Sequence, residues 1–268
     1  MTRSSIFRIA AIAALFCALP LQATQPEVSE IQTDEPADEE AVIDSIEAHP
    51  EIIHRLSEQD YRDVAEMLDV ETAAIKAVVD IEAGRQHQGF VAPGKPLINF
   101  DLSMFRQHAR RNGVNLAKYS RSHSIVFASP NARRYGSRQN AQHERLRAAR
   151  SIDERSAIQG TFWGMFQIGG FNWKLCGCSS MQEFVERMSR SERDQLELFA
   201  EFLKNTGMDR LLRVKNWAAF ARRYNGPSYA RRGYHTRMAS AYARHKVQER
   251  HAAAAAESSE TPKETQTN

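Results

Sequence analysis

A mostly α-helical domain carrying a small β element is what this sequence predicts, and three features lead there. Apolar residues recur at helical spacing in several separate segments. Ser-x-x-Asp/Glu signatures, which start helices by reciprocal capping, occur at Ser180–Glu183 and Ser191–Asp194. Only one stretch, Phe90 to Phe100, sets two short β-prone runs around a Pro93-Gly94-Lys95 turn. The bulk values agree with a globular chain: 268 residues, 42% hydrophobic, 26% charged. They exclude a collagenous, wholly disordered or multi-span membrane protein. Three cysteines are too few for a disulfide scaffold. Neither the Gly-rich dinucleotide signature nor the phosphate-loop signature occurs, so the usual nucleotide-binding classes are excluded as well.

The elements follow in chain order. Residues 1–23 read as a secretory signal peptide: Arg3 and Arg8 precede an apolar run of eleven residues, Ile9 to Leu19, and Ala23 suits cleavage. The mature protein is therefore expected to be exported, periplasmic or secreted, with no stable membrane insertion. Residues 24–57 read as an acidic flexible linker. Twelve Asp and Glu stand against Arg55 alone between residues 24 and 60. The folded domain is expected over residues 58–248, roughly 190 residues, enough to bury a core of its own. Within it the Leu196, Phe199, Phe202 and Leu203 stripe should end at Gly207, and Met238, Ala241, Tyr242 and His245 form a similar stripe. Residues 249–268 read as a disordered tail.

The domain is strongly basic. Residues 61–250 hold 32 Lys and Arg against 18 Asp and Glu. Such a balance favours a polyanionic partner. For an exported protein the first polyanion met is the cell wall with its peptide carboxylates, rather than nucleic acid. The protein is expected to bind no nucleic acid and to act as a monomer.

One residue stands out by its position. Ile75, Val78, Val79 and Glu82 fall at i, i+3, i+4 and i+7, so Glu82 lies on the stripe that should face inward. It also sits at the helix C-terminus, before a Gly84 cap. Lost hydration and the negative helix end both disfavour its charge and push its pKa upward. A general acid working near neutral pH needs that shift. Pairing with one of the many arginines is the structural alternative.

Two further segments give that carboxylate a context. Phe162-Trp-Gly-Met-Phe-Gln-Ile168 and Trp217 to Tyr229, with its Tyr224-Asn225-Gly226-Pro227, follow the helix Ala73 to Glu82 in order. Together they resemble the lysozyme-like superfamily of peptidoglycan glycosidases and, within it, are similar to the N-acetylmuramidase family typical of phage endolysins. The likeness runs from about Asp60 to Arg244. It implies an α+β lysozyme-like fold with a β-hairpin beside the catalytic cleft. The implied reaction is cleavage of the β-1,4 bond between N-acetylmuramic acid and N-acetylglucosamine.

On that resemblance Glu82 takes the catalytic glutamate position. Met165 and Gln167 lie along the sugar groove, Tyr224 and Asn225 sit near the acid, and these four with Tyr229 bind substrate. Amide side chains offer donors and acceptors to N-acetyl and hydroxyl groups, and aromatic faces suit sugar rings. Trp163 and Phe166 are equally suited to the core. The chain departs from the family at Phe100-Asp101-Leu102-Ser103, where members carry a Phe-Glu-Arg-His-like run. Asp101 is the candidate second catalytic carboxylate, and a helix N-cap is its alternative.

No cofactor and no metal is expected. Cys176 and Cys178 are only two ligands, and the histidines lack metal-ligand spacing. Two other activities remain open on these residues. A lytic transglycosylase would use the same glutamate without a second carboxylate, and a non-catalytic wall-binding module would use only a basic, aromatic groove.

Overall fold

Helix α1, Glu58–Leu68, starts at a complete capping box: the Asp60 backbone N–H donates to Ser57 Oγ, and the Ser57 N–H donates to the Asp60 carboxylate. Its buried residues Tyr61, Val64, Ala65 and Leu68 form one stripe, and Asp69 ends it in the left-handed region at φ 52°. This is a computed structural model, and it describes residues 55–83, 88–128 and 139–260. The expected leader 1–23, the acidic segment up to residue 54, Gly84, His87 and the tail from 261 lie outside the described residues.

Helix α2, Thr72–Glu82, is the central element, lying against α1 on one side and the last helix on another. Ala73, Ala74, Ile75, Ala77, Val78 and Val79 are all fully buried. The apolar stripe is thus wider than a single face. Three alanines lower the surface of α2 so that the neighbouring backbones can approach closely.

The β region differs from the expected single hairpin. Strands β1, Phe90–Ala92, and β2, Lys95–Pro96, do pair antiparallel around the Pro93-Gly94 turn, where Gly94 takes φ 68°. Leu97 then breaks the run, and β3, Ile98–Phe100, joins a second sheet. Its partner is β4, Thr161–Trp163, which also pairs with β5, Ile168–Gly169, giving the order β3-β4-β5. Pro96, lacking an N–H, marks the end of the first ladder.

Helix α3, Leu102–Arg111, follows, then the short α4, Ser124–Phe127, and the pair α5, Gln139–Arg150, and α6, Glu154–Gln159. Asp153 caps α6 by accepting from the Ser156 N–H at 2.8 Å. Beyond the second sheet come α7, Met181–Arg190, and α8, Glu192–Asn205. Ser180 and Ser191 cap them as expected, although Glu183 reaches past Ser180 to the N–H and hydroxyl of Ser179. Gly207, at φ 67°, follows the end of α8. Helices α9, Asp209–Arg213, α10, Trp217–Asn225, and α11, Tyr234–Glu260, complete the chain.

The last helix corrects the expected boundary at Gln248. It continues to Glu260, because Ala252 to Ala256 is a run of the strongest helix former. Among the described residues no helix is long and apolar enough to cross a membrane.

Candidate active site

Glu82 is the last residue of α2. Ile75, Val78 and Val79 beneath it are fully buried, which fixes the direction in which its side chain leaves the helix. Its own surface is only partly covered, so it remains reachable, yet its surroundings are dense enough for burial to dominate its chemistry. Lost hydration raises the carboxyl pKa from 4.5 to about 7; the Asn225 amide and the Arg237 charge pull the other way without overcoming it. Among the described residues no basic side chain forms an ion pair with Glu82. Arg237 acts on it only through its charge, without such a pair.

Asn225 ends α10, a helix started by Asn216, whose side chain accepts the Ala219 N–H at 3.0 Å. Asn225 Nδ2 lies 3.1 Å from both Glu82 oxygens. The residue is 5% exposed, and its buried Oδ1 has no hydrogen-bond partner among the described residues. Gly226 follows at φ 75°, which turns the chain away directly after this contact.

Tyr224 links the acid to a second wall. Its hydroxyl donates to the Phe166 carbonyl at 2.7 Å. Its ring stacks on Phe220 and meets Phe199 edge-on. Burial and the Glu82 charge hold the phenol pKa well above 10, so it stays a donor. The segment it grips is the tight turn Gly164–Gln167, where Gly164 takes φ 69° and Gln167 takes φ 49°. Both the backbone N–H and the side-chain amide of Gln167 donate to the Gly164 carbonyl, at 3.1 and 2.8 Å. A non-glycine left-handed conformation costs about 1–2 kcal/mol, and the two hydrogen bonds offset it.

The turn is held from behind by two residues of α8 that sequence reasoning missed. Gln195, fully buried, accepts the Met165 N–H at 2.9 Å and donates to the Met188 and Gly89 carbonyls. Glu192, also buried, accepts the Gly89 N–H at 2.9 Å. A Cβ on Gly89 or Gly164 would stand 2.6 or 2.8 Å from Gln195 Oε1, so both positions need glycine. A signal was present: Glu192, Gln195, Phe199 and Phe202 share a helical face, by the same reasoning that singled out Glu82.

The remaining expected residues are placed as follows. Asp101 is the N-cap of α3: one carboxylate oxygen accepts from the Ser103 and Met104 N–H groups and the Ser103 hydroxyl. Its charge also favours the charged form of the buried Arg145 guanidinium. The structure thus supplies the capping alternative, and no hydrogen bond joins Asp101 to Glu82. Met165 is buried in the core rather than lining a groove, as are Trp163 and Phe166, the latter stacked on Phe199 at 4.2 Å. Tyr229 is partly exposed in the α10–α11 connection, edge-on to His235.

Cys176 and Cys178 are free and buried. Burial raises both thiols, Cys178 to about 11, so neither is a reactive thiolate. Among the described residues no group of His, Cys, Asp and Glu could hold a metal ion.

The family described as N-acetylmuramidase matches residues 71–246. Among solved structures, a Burkholderia AP3 phage endolysin is similar with 30% sequence identity and a TM-score of 0.62, covering 72% of each chain. No curated protein matches the chain.

Proposed function

The chain belongs to the N-acetylmuramidase family, and on that premise we propose that Glu82 is its general acid in peptidoglycan hydrolysis. The carrying observation is a carboxyl group whose pKa is lifted to about 7 at a point that solvent still reaches. Near neutral pH a large share of such groups keeps the proton that an ordinary carboxylate has lost. In the proposed step the Glu82 proton passes to the glycosidic oxygen as its bond to C1 of N-acetylmuramic acid breaks. Oxygen from water then forms the new bond at C1, and N-acetylglucosamine leaves with a free 4-hydroxyl.

Asn225 has two jobs in this reading. Its Nδ2 holds the carboxyl group, and the partnerless Oδ1 accepts a sugar N–H or O–H. Tyr224 keeps the helix end and the Gly164–Gln167 turn in register. Gln167 and Tyr229 are proposed groove residues, while Met165 contributes by shaping the turn from within. The N-terminal leader suits export to the wall, and N-terminal sequencing of the mature protein, starting at or near Thr24, checks it.

The engagement of Asp101 in its helix cap favours one second reading, a lytic transglycosylase. There the muramic 6-hydroxyl displaces the leaving group and no second carboxylate is required. Mass analysis of products from purified peptidoglycan decides between them. Products with a reducing muramic end are expected; products lighter by one water would overturn hydrolysis, and absence of release would leave only wall binding.

A further inference from the structure

Beyond the acid, the chain carries a set of exposed arginines late in the sequence. Between Asp209 and Glu249 there is no Asp or Glu at all. Arg222, Arg223, Arg231, Arg232 and Arg237 lie in this stretch, all exposed. Among the described residues none of these five forms an ion pair. Other arginines are paired, some in the same stretch: Arg193 binds Asp60, Asp63 and Glu197, Arg190 binds Asp194, Arg213 binds Asp69 and Asp209, and Arg244 binds Asp80.

Helix electrostatics account for only part of the set. Arg222 and Arg223 occupy the last turn of α10, where a cation is favoured. Arg231 and Arg232 directly precede α11, and Arg237 lies in its first turns, where cations are disfavoured. Gathering like charges against that field costs stability, a cost that an anionic ligand would offset.

Two of these arginines are tied to the Glu82 site. Arg222 stands one turn before Asn225, the residue that holds Glu82. Arg237 is close enough to Glu82 to act on its pKa, and its guanidinium lies over the Tyr234 ring at 5.9 Å. The unpartnered Oδ1 of Asn225, in a residue 95% buried, points to a ligand at the same place. Arginine forks match carboxylates, and the interleaved Tyr229 and Tyr234 offer flat apolar surface.

We propose that Arg222, Arg223, Arg231 and Arg232 form a subsite for the carboxylates of the peptide stems on the muramic residues, so that the chain selects peptide-bearing, anionic glycan. This rests on the muramidase reading of the adjacent cleft, which brings those stems to this lip of the molecule. Nucleic acid would meet the same charges, but it offers no glycosidic bond to the Glu82 carboxyl group.

The test uses the full chain, peptidoglycan freed of phosphate polymers, and the same material with its carboxyl groups converted to methyl amides. Binding is read by co-sedimentation of Glu82→Gln, and turnover by release of reducing ends. Native peptidoglycan should be bound and cleaved about tenfold better than the amidated form, since four exposed charge pairs each contribute modestly. The variant Arg222→Gln/Arg223→Gln/Arg231→Gln/Arg232→Gln should treat both materials alike, with kcat on the amidated form unchanged. Salt at about 0.5 M should abolish the wild-type preference. Equal binding of both materials by the Glu82→Gln chain overturns the subsite, as does a preference that survives in the quadruple variant. So does retention that returns only when a phosphate polymer or nucleic acid is added. A chain that prefers the native form in sedimentation yet releases no reducing ends keeps the subsite and loses the hydrolase reading.

Discussion

Helix α2 begins beside Glu71 and ends at Glu82, and its two carboxylates meet opposite surroundings. Glu71 stands at the N-cap position, the end where helix dipoles favour negative charge. It is paired with Lys215 and Lys246 and accepts the Tyr242 hydroxyl at 2.8 Å, and its pKa falls to about 2. Glu82 stands at the end where negative charge is disfavoured, has one amide for a neighbour and loses its water, and its pKa rises to about 7. The same residue type on one helix is thus a permanent anion at one end and a proton store at the other. Paired cations make the first a fastening between α2, α9's exit and α11. Lost hydration lets the second keep its proton near neutral pH, which the proposed general acid requires.

The sharpest way to break this comparison is to neutralise each carboxylate in turn. Glu82→Gln keeps the shape but cannot deliver a proton, and turnover on purified peptidoglycan should drop about 10²–10⁴-fold. Glu71→Gln touches no group near the acid and should keep turnover within about twofold. Equal losses in the two variants would erase the functional distinction between the helix ends.

A second contrast lies in the pH dependence. The acid must be protonated, so kcat/KM should decline on the alkaline side with a midpoint near the Glu82 value of about 7. The Asn225 amide favours the charged form, so Asn225→Ala should shift that decline to higher pH while lowering the maximum rate. A pH–rate profile with an unmoved alkaline limb would detach Asn225 from the acid.

Stability sharpens the comparison further, because the two ends carry opposite signs. The folded state holds the Glu82 proton more tightly than the unfolded chain does. Its destabilising effect is absent below about pH 4.5, grows as pH rises and is complete above about 7. Glu82→Gln should therefore be more stable than wild type at pH 8, by up to about 3 kcal/mol, and nearly equal at pH 4. Urea unfolding at the two pH values measures this.

Glu71 should give the smallest effect and the reverse sign. Its depressed pKa adds stability that is present above about pH 4.5 and lost as pH falls towards 2. More than a third of its surface is open, so Glu71→Gln should cost only about 1 kcal/mol at pH 7. Thermal unfolding of that variant, compared at pH 7 and pH 3, should show the difference shrinking in acid.

Much of the architecture was legible in the residues. The α2 stripe, the Ser180 and Ser191 caps, the α8 face ending at Gly207 and the Pro93-Gly94 turn all follow from local spacing and turn chemistry, and each stands where expected. The inward position of Glu82 was legible for the same reason: helical period alone sets which residues share a face. Asp101 was read both as a second catalytic carboxylate and as a helix cap, and the cap, a local device set by the residues just after it, is the part now visible. The second sheet was not legible. Thr161–Trp163 is too short to show alternation, and its pairing with Ile98–Phe100 bridges sixty-odd residues of chain. Glu192 and Gln195 were overlooked because polar residues in a first helical turn are usually caps, although their shared face with Phe199 marks them as buried.

By itself, then, the sequence determined the helices, their inward faces and the carboxyl group held on one of them, because those depend on neighbours within a turn or two. Only the tertiary structure decided what that carboxyl group is. Asn225 reaches Glu82 across 143 residues, Tyr224 reaches the Phe166 carbonyl across 58, and Gln195 reaches Gly89 across 106. A proton affinity is set by the water removed and the dipoles brought near, and both arrive from elements far apart along the chain. Helical spacing could turn Glu82 inward, but packing against α10 was needed to give it a pKa near 7 and the Asn225 amide.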